Sequence, residues 1–280
     1  MAGQVDGRVV LISGAGGGLG SAMARGLAEV GARLALHDLR QPAVAALAGS
    51  IGADRTLALS GDIGDEAECR RAVAATCERF GRIDVVINNA GVGIGTIRPD
   101  YYRRRIDSFT DVSAEDWRRF FRVNVDGAFH LTRAAMPHLR SQGWGRVINV
   151  TTTLGTMLRP GYVPYGCSKA ALESLSSIWA QELEGSGVTV NVVVPGGPTD
   201  TGMVTAENGL DRSALLRPDV MVPPVRWLCS SAADTVNGRR FTGSLWDATR
   251  GEEAAAAAAG MPIGWPGVGP NWSTPPSAPA

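Results

Sequence analysis

Tyr165 and Lys169 stand four residues apart, the spacing that aims two side chains the same way from the start of a helix. A free tyrosine has a pKa of about 10 and is a poor base at neutral pH. A neighbouring ammonium favours the phenolate and lowers that pKa. The pair would then trade a proton with a substrate oxygen. A Tyr/Lys pair at this spacing also decorates ordinary helix surfaces, so the chemistry depends on what lies around it.

A glycine cluster supplies the first companion. The run Val9-Val10-Leu11-Ile12 reads as a buried strand and breaks into Ser13-Gly14-Ala15-Gly16-Gly17-Gly18-Leu19-Gly20 before a helical stretch at 21–30. Glycines let backbone N–H groups approach a pyrophosphate, and the helix N-terminus adds partial positive charge. The spacing G-x-G-x-x-G does not fit, whereas G-x-x-x-G-x-G does, as Gly14, Gly18 and Gly20. The next strand ends in His37-Asp38, followed by Leu39. A carboxylate there would accept both adenosine ribose hydroxyls and repel a 2′-phosphate, which favours NAD over NADP. Arg40 works against that preference, since an arginine near this turn can pair with a phosphate.

The elements that must position these residues alternate. Strands are expected at 34–36, 56–59, 85–87, 146–150, 189–194 and 241–246, and helices at 65–80, 114–139, 165–183 and 223–230. Short strands, apolar on both faces and separated by helices, imply an α/β fold: a single doubly wound, Rossmann-type parallel sheet with helices on both faces. Residues 1–250 form that domain. In residues 251–280, Ala, Gly and Pro make up 19 of 30 positions. Residues 252–259 suit two helical turns, and beyond Met261 the Pro and Gly density argues against regular structure. Trp265 and Trp272 lie in this tail, either solvated with it or on an arm that packs on its own or a neighbouring subunit.

Composition narrows the function classes. Lys plus Arg equal Asp plus Glu at 27 each, so the surplus positive charge of a nucleic-acid binder is missing. No run has the length of a membrane span, and the first strand begins too early for a signal peptide, which makes the cytoplasm the expected compartment. Cys69, Cys77, Cys167 and Cys229 are scattered and read as reduced thiols. His130 and His138 lack a cluster of other ligands, so no metal is expected.

Taken together, the glycine turn and the Tyr/Lys pair resemble the short-chain dehydrogenase/reductase family over residues 7–247. Ser13-Gly14-Ala15-Gly16-Gly17-Gly18-Leu19-Gly20 resembles its T-G-x-x-x-G-[IL]-G turn. Asp62-Ile63 resembles the acid–aliphatic pair that holds adenine, and Asn88-Asn89-Ala90-Gly91 the N-N-A-G motif. By that resemblance Asn89, Ala90 and Gly91 line the cofactor's central ribose. Asn124 matches the asparagine that holds a proton-relay water, Tyr165 and Lys169 match Y-x-x-x-K, and Pro195-Gly196 matches the turn beside the carboxamide. Two positions depart from the pattern. Thr152 stands where the family usually has serine, keeping a hydroxyl donor but adding a methyl that narrows rotamer choice. Pro198 takes an aliphatic position, leaving Thr199 or Thr201 as the nicotinamide-binding threonine.

The resemblance implies hydride transfer between NAD(H) and a secondary alcohol or ketone. Tyr165 is then the acid/base, Thr152 the second hydrogen-bond donor, Lys169 the residue that lowers the tyrosine pKa and binds the ribose, and Asn124 the relay residue. Residues 201–218 correspond to a substrate lid whose apolar side chains suit a moderately hydrophobic substrate. The 92–111 stretch, with Tyr101-Tyr102 and Arg103-Arg104-Arg105, is either a solvated loop or a substrate lip. A homotetramer or homodimer built on the helices at 114–139 and 165–183 is also implied. The competing reading is a dinucleotide-binding regulatory or structural protein on the same fold whose catalysis has decayed.

Overall fold

The computed structural model describes residues 5–103 and 108–267. Among them eight strands form one sheet: β1 (Val9–Ser13), β2 (Arg33–Asp38), β3 (Thr56–Ser60), β4 (Val85–Asn88), β5 (Gly145–Val150), β6 (Val188–Val194), β7 (Arg239–Thr242) and β8 (Gly260–Pro262). Their order is β3-β2-β1-β4-β5-β6-β7-β8. All neighbours pair in parallel except β8, which runs antiparallel to β7. The chain reverses its direction of winding between β1 and β4. In a doubly wound sheet that switch opens a crevice at the carboxyl ends of the strands.

The helices are α1 (Gly18–Glu29), α2 (Gln41–Ile51), α3 (Glu66–Phe80), α4 (Ala114–Phe121), α5 (Gly127–Ser141), the single turn α6 (Leu154–Met157), α7 (Tyr165–Glu182), α8 (Val222–Leu228) and α9 (Glu252–Ala259). Alternation along the strands divides the core into two layers. Val10, Ile12, Leu34, Leu36, Val85 and Ile87 pack on one face with α1 and α8, while Leu11, Ala35, Val86, Val147 and Val190 pack on the other. Local rules set the helix ends. The Asp65 side chain caps α3 by accepting from Ala67 N at 2.8 Å, Glu66 and Glu68 occupy its first turn, and Gly81 ends it at φ +78°. No helix among the described residues is long and apolar enough to cross a membrane.

Several boundaries differ from the sequence reading. The helix after the glycine turn starts at Gly18, three residues earlier than its apolar face, because small residues carry the first turn. The expected 114–139 helix is α4 and α5 joined by a π turn over Arg122–Asp126. The last predicted strand begins at Arg239 and stops at Thr242, where Gly243–Leu245 tightens into a 3₁₀ turn. Past Met261, Pro262 still belongs to β8. Proline is tolerated there because β8 is an edge strand and needs only one hydrogen-bonded side. The arm therefore continues the sheet of its own chain, with Ala255, Ala256, Ala259 and Ile263 buried. Trp265 is half-buried, and Trp272 lies outside the described residues.

Candidate active site

The glycine turn is shaped by contacts that leave no room for side chains. Gly14 has φ +65°, and a Cβ there would lie 2.7 Å from Ala90 Cα. A Cβ on Gly20 would meet the Gly14 carbonyl oxygen at 2.2 Å. Gly17 caps α1, so the amides of Gly18 and Leu19 open the helix without intrahelical partners. Ser13 Oγ accepts from the backbone N–H groups of Asn89 and Ala90, both at 3.1 Å. Asn89 Nδ2 donates to the carbonyls of Ser13 (3.0 Å) and Gly14 (2.9 Å). Its amide group thus ties the 88–91 motif to the glycine turn, a use of Asn89 other than the ribose contact expected from sequence. The tight, backbone-lined cradle fits a pyrophosphate held by first-turn amides.

Asp38 is almost fully buried beside this turn. Its Oδ2 accepts from Gly16 N (3.0 Å), and its Oδ1 accepts from Arg40 N (3.0 Å) and faces Arg40 Nε (3.4 Å). Arg40 Nη2 donates to the Gly16 carbonyl (3.1 Å). Leu39 is exposed, at 72% of its free surface. Asp62 accepts from Gly64 N (2.9 Å) and Arg122 Nη1 (2.6 Å). Burial pushes its carboxyl up, but the Gly64 amide and Arg122 outweigh that and hold it below the usual value. Ile63 is buried against Gly127, where α5 begins.

On the other side of the crevice, β5 delivers Thr151 and Thr152 and α7 delivers Tyr165 and Lys169 one turn apart. The Thr152 side chain lies beside the Tyr165 phenol and favours its ionised form. Burial raises that phenol to about 12, Thr152 pulls it back, and the nearby Tyr101 adds to the rise. Lys169 Nζ donates to the Val150 carbonyl at 2.9 Å, and burial lowers the amine to about 8. Both groups are desolvated, and the amine is turned towards a strand carbonyl.

The π turn presents Asn124 into this cluster. Its Oδ1 accepts from Val92 N (2.8 Å), while Nδ2 donates to the Val92 carbonyl (3.1 Å) and to Ser168 Oγ (2.9 Å). A π bulge commonly marks a functional position in a helix. A Cβ on Gly91 would sit 3.1 Å from Asn124 Oδ1 and 3.4 Å from Lys169 Nζ. The N-N-A-G segment thus touches the glycine turn at one end and the Tyr/Lys cluster at the other.

Pro195 and Gly196 follow β6. Gly196 has φ +101°, and a Cβ there would clash with Ser244 Oγ at 2.1 Å. The two candidate threonines part company. Thr199 is buried and donates to the Gly197 carbonyl (3.0 Å), whereas Thr201 packs its methyl against Gly18. Thr201 is the one that reaches the glycine turn. Residues 203–209 fold over the 92–103 segment: Met203 covers Gly93, Thr205 bonds the Pro99 carbonyl, and Arg103 lies on Gly209. Tyr101 meets Tyr162 edge-on at 6.1 Å and packs with Ile94 in the cluster that includes Tyr165. Arg104 and Arg105 lie outside the described residues.

Sequence reading missed several residues here. Ser168 holds Asn124, and Arg159 stacks over Tyr162 and donates to its hydroxyl at 3.2 Å. Beneath the site a buried row joins Thr132, Asn88, Asn149 and Ser176 through bonds of 2.7–2.8 Å. The asparagines sit where strands otherwise carry aliphatic residues, a signal that buried polar groups need partners.

Residues 8–210 match the family model described as short chain dehydrogenase. The chain is 33% identical over 252 residues to the peroxisomal multifunctional enzyme type 2 of Mus musculus, covering 87% of this chain and 32% of that protein. It is 30% identical to D-threitol dehydrogenase of Mycolicibacterium smegmatis, covering 84% of this chain and 90% of that one. Among solved structures, a 3-ketoacyl-(acyl-carrier-protein) reductase from Brucella melitensis complexed with NADH superposes at TM-score 0.73. The identity is 29%, over 83% of this chain and 95% of that one. A gluconate 5-dehydrogenase from Burkholderia cenocepacia in complex with NADP and tartrate gives 0.74 at 29% identity, over 86% and 96%. With the family model matched over residues 8–210 and relatives of 30% identity or more covering most of both chains, the chain belongs to the short-chain dehydrogenase/reductase family.

Proposed function

We propose that this protein is an NAD-dependent oxidoreductase that interconverts a secondary alcohol and a ketone. The convergence of Tyr165, Thr152, Lys169 and Asn124 at the carboxyl ends of the strands, joined through Gly91 to the glycine turn, carries this reading. A nicotinamide dinucleotide bound there would supply the hydride acceptor in oxidation and the hydride donor in reduction. Tyr165 Oη takes the hydroxyl proton as the carbonyl forms, and gives it back in reduction. The Thr152 hydroxyl shares the same oxygen and stabilises its developing charge. Lys169, its amine near neutrality in pKa, gains and loses a proton readily and so feeds the tyrosine. Asn124 holds Val92 and Ser168 around that amine, and a second lone pair on its Oδ1 suits a relay water. Gly14, Gly18, Leu19 and Gly20 would hold the pyrophosphate, Asp38 the adenosine ribose, Asp62 and Ile63 the adenine, and Thr201 with Pro195 and Gly196 the nicotinamide end.

The test is a panel of polyols, sugar acids and 3-hydroxyacyl thioesters with NAD, the reduced cofactor being read by absorbance. Tyr165→Phe is expected to cut turnover by at least ~100-fold while NADH binds within about twofold of wild type. Turnover that survives the substitution rejects Tyr165 as the acid/base. A chain that binds NADH but oxidises nothing in the panel supports the decayed-enzyme reading.

The choice of NAD rests on Asp38. Its carboxylate occupies the turn, and Arg40 is paired to it and to the Gly16 carbonyl. A 2′-phosphate placed there would face that buried negative charge. NADH should bind at least ~10-fold tighter than NADPH, and Asp38→Ser should shrink or reverse the ratio, as read by fluorescence titration. Equal affinities in the wild type would overturn the preference.

We also propose self-association through α4, α5 and α7. Trp117, Phe129 and Ile178 are exposed on these helices, and Phe129 and Trp179 lie 6.4 Å apart across α5 and α7. That apolar face supports a symmetric interface.

A further inference from the structure

Arg240 is an unusual occupant of β7. It lies between β6 and β8, with Val192 and Met261 as its register partners, and is only 4% exposed. Its partner is Glu173, which is fully buried. Glu173 stands four residues past Lys169 and eight past Tyr165, so one helix carries all three. Arg240 Nε lies 3.1 Å from Glu173 Oε1, an ion pair not aligned as a hydrogen bond.

The remaining bonds of this pair converge on the catalytic loop. Thr151 Oγ1 donates to Glu173 Oε2 at 2.8 Å. Arg240 Nη2 donates to the Thr152 carbonyl at 2.7 Å. Two successive residues after β5 are therefore gripped, one by its side chain and one by its backbone. The C-terminal arm closes the arrangement, because Gly264 N donates to Glu173 Oε1 at 3.2 Å. A buried ion pair adds little stability compared with apolar residues of the same size. What it does add is direction, since each charge is satisfied in one geometry only.

We propose that Glu173 and Arg240 are positioning residues that fix the Thr152 hydroxyl against the Tyr165 phenol. The inference rests on the reading of Thr152 and Tyr165 as the pair facing the reacting oxygen. Glu173 sets the distance between the helix bearing the phenol and the loop bearing the hydroxyl. Arg240 sets the peptide plane of Thr152, and through it the direction of Oγ1. The arm keeps the pair dry and supplies one of the N–H groups that Glu173 needs. The whole clamp acts on orientation, where a displacement of about 1 Å costs roughly 100-fold in rate.

A mutant cycle tests it. Arg240→Met and Glu173→Gln are measured with the best alcohol of the panel in the full-length protein, alone and combined with Thr152→Ala. Each is expected to lower kcat by roughly tenfold or more with NADH affinity within about twofold of wild type. In the Thr152→Ala background the same changes should cost no more than about twofold, because the hydroxyl they aim is gone. Arg240→Lys keeps the charge but cannot make both contacts at once, so it should fall between wild type and Arg240→Met and covers the case in which methionine prevents folding. An equal loss in both Thr152 backgrounds, or a kcat loss that tracks lost NADH binding, overturns the proposal. Tyr165→Phe separates the two levels. If it leaves turnover intact, the acid/base reading fails and takes the clamp with it. If it abolishes turnover while the cycle is additive, only the clamp fails.

Discussion

At the residue scale the site is governed by desolvation more than by pairing. Lys169 is 3% exposed, and its amine is lowered from 10.5 to about 8 because burial penalises the charge. That shift has a consequence for stability. Between about pH 8 and about pH 10.5 the folded chain binds fewer protons at this lysine than the unfolded chain does. Stability therefore rises with pH across that window, by on the order of 3 kcal/mol, and below it the cost of the buried ammonium is fully present. Lys169→Met should remove the rise. In urea unfolding of the cofactor-free protein, the wild type should gain on Lys169→Met by on the order of 3 kcal/mol between about pH 7.5 and about pH 10.5. The thiols of Cys69 and Cys229, pushed up to about 12 by burial, act the opposite way above about pH 9, but they are the same in both proteins and cancel. A constant difference across the window would show that Lys169 keeps an ordinary pKa. The same desolvation explains why Thr152 matters: its hydroxyl is the contact that counters the burial of the phenol.

At the element scale, what the sequence disclosed and what it hid follow different physics. The parallel sheet was legible because its strands are apolar on both faces and its helices carry signals at their own ends, such as Asp65 and Gly81 around α3. The Tyr165/Lys169 pair and the glycine turn were legible because each is local, its parts no more than a few residues apart. Arg240 and Glu173 were not, since their pairing exists only once β7 is paired to β6 and α7 is packed on the sheet. The tie from Asn89 to the glycine turn was hidden for a similar reason: its partners, Ser13 and Gly14, sit some 75 residues earlier in the chain. β8 was hidden by composition, because an edge strand of three residues tolerates Pro262 and needs no alternation. The arm gives a prediction of its own. Ending the chain at Gly251 removes α9 and β8, uncovers Phe241, Val192 and Val194, and deprives Glu173 of the Gly264 N–H. Losing the burial of Ile263 and three alanines should cost about 3 kcal/mol or more, which lowers Tm by about 10 °C in a domain of this size. Calorimetry of the shortened chain checks this, and an unchanged Tm would mean that the arm is not held against the sheet in solution.

At the scale of the whole molecule the open question is what covers the apolar face of α4, α5 and α7. Trp117, Phe129 and Ile178 keep between 37% and 46% of their surface in water. α5 and α7, which carry Phe129 and Ile178, pack on the side of the sheet away from α1 and α8. A two-fold axis through this face would set the helices of two copies against each other and bury the same residues from both. A stable interface of this kind needs about 800 Å² from each partner, which helices of 15 and 18 residues are long enough to present. If the face is the interface, one charge on each of two helices should suffice to open it, since every substitution appears twice across a two-fold contact. Phe129→Glu combined with Ile178→Glu should convert a dimer or tetramer to monomer in light scattering at micromolar concentration. NADH binding should survive in that monomer, because the glycine turn, Asp38 and the Tyr165 cluster all come from one chain. A wild type that is monomeric throughout would remove the face from consideration as an interface between copies. An oligomer indifferent to both substitutions would place its contacts on another surface.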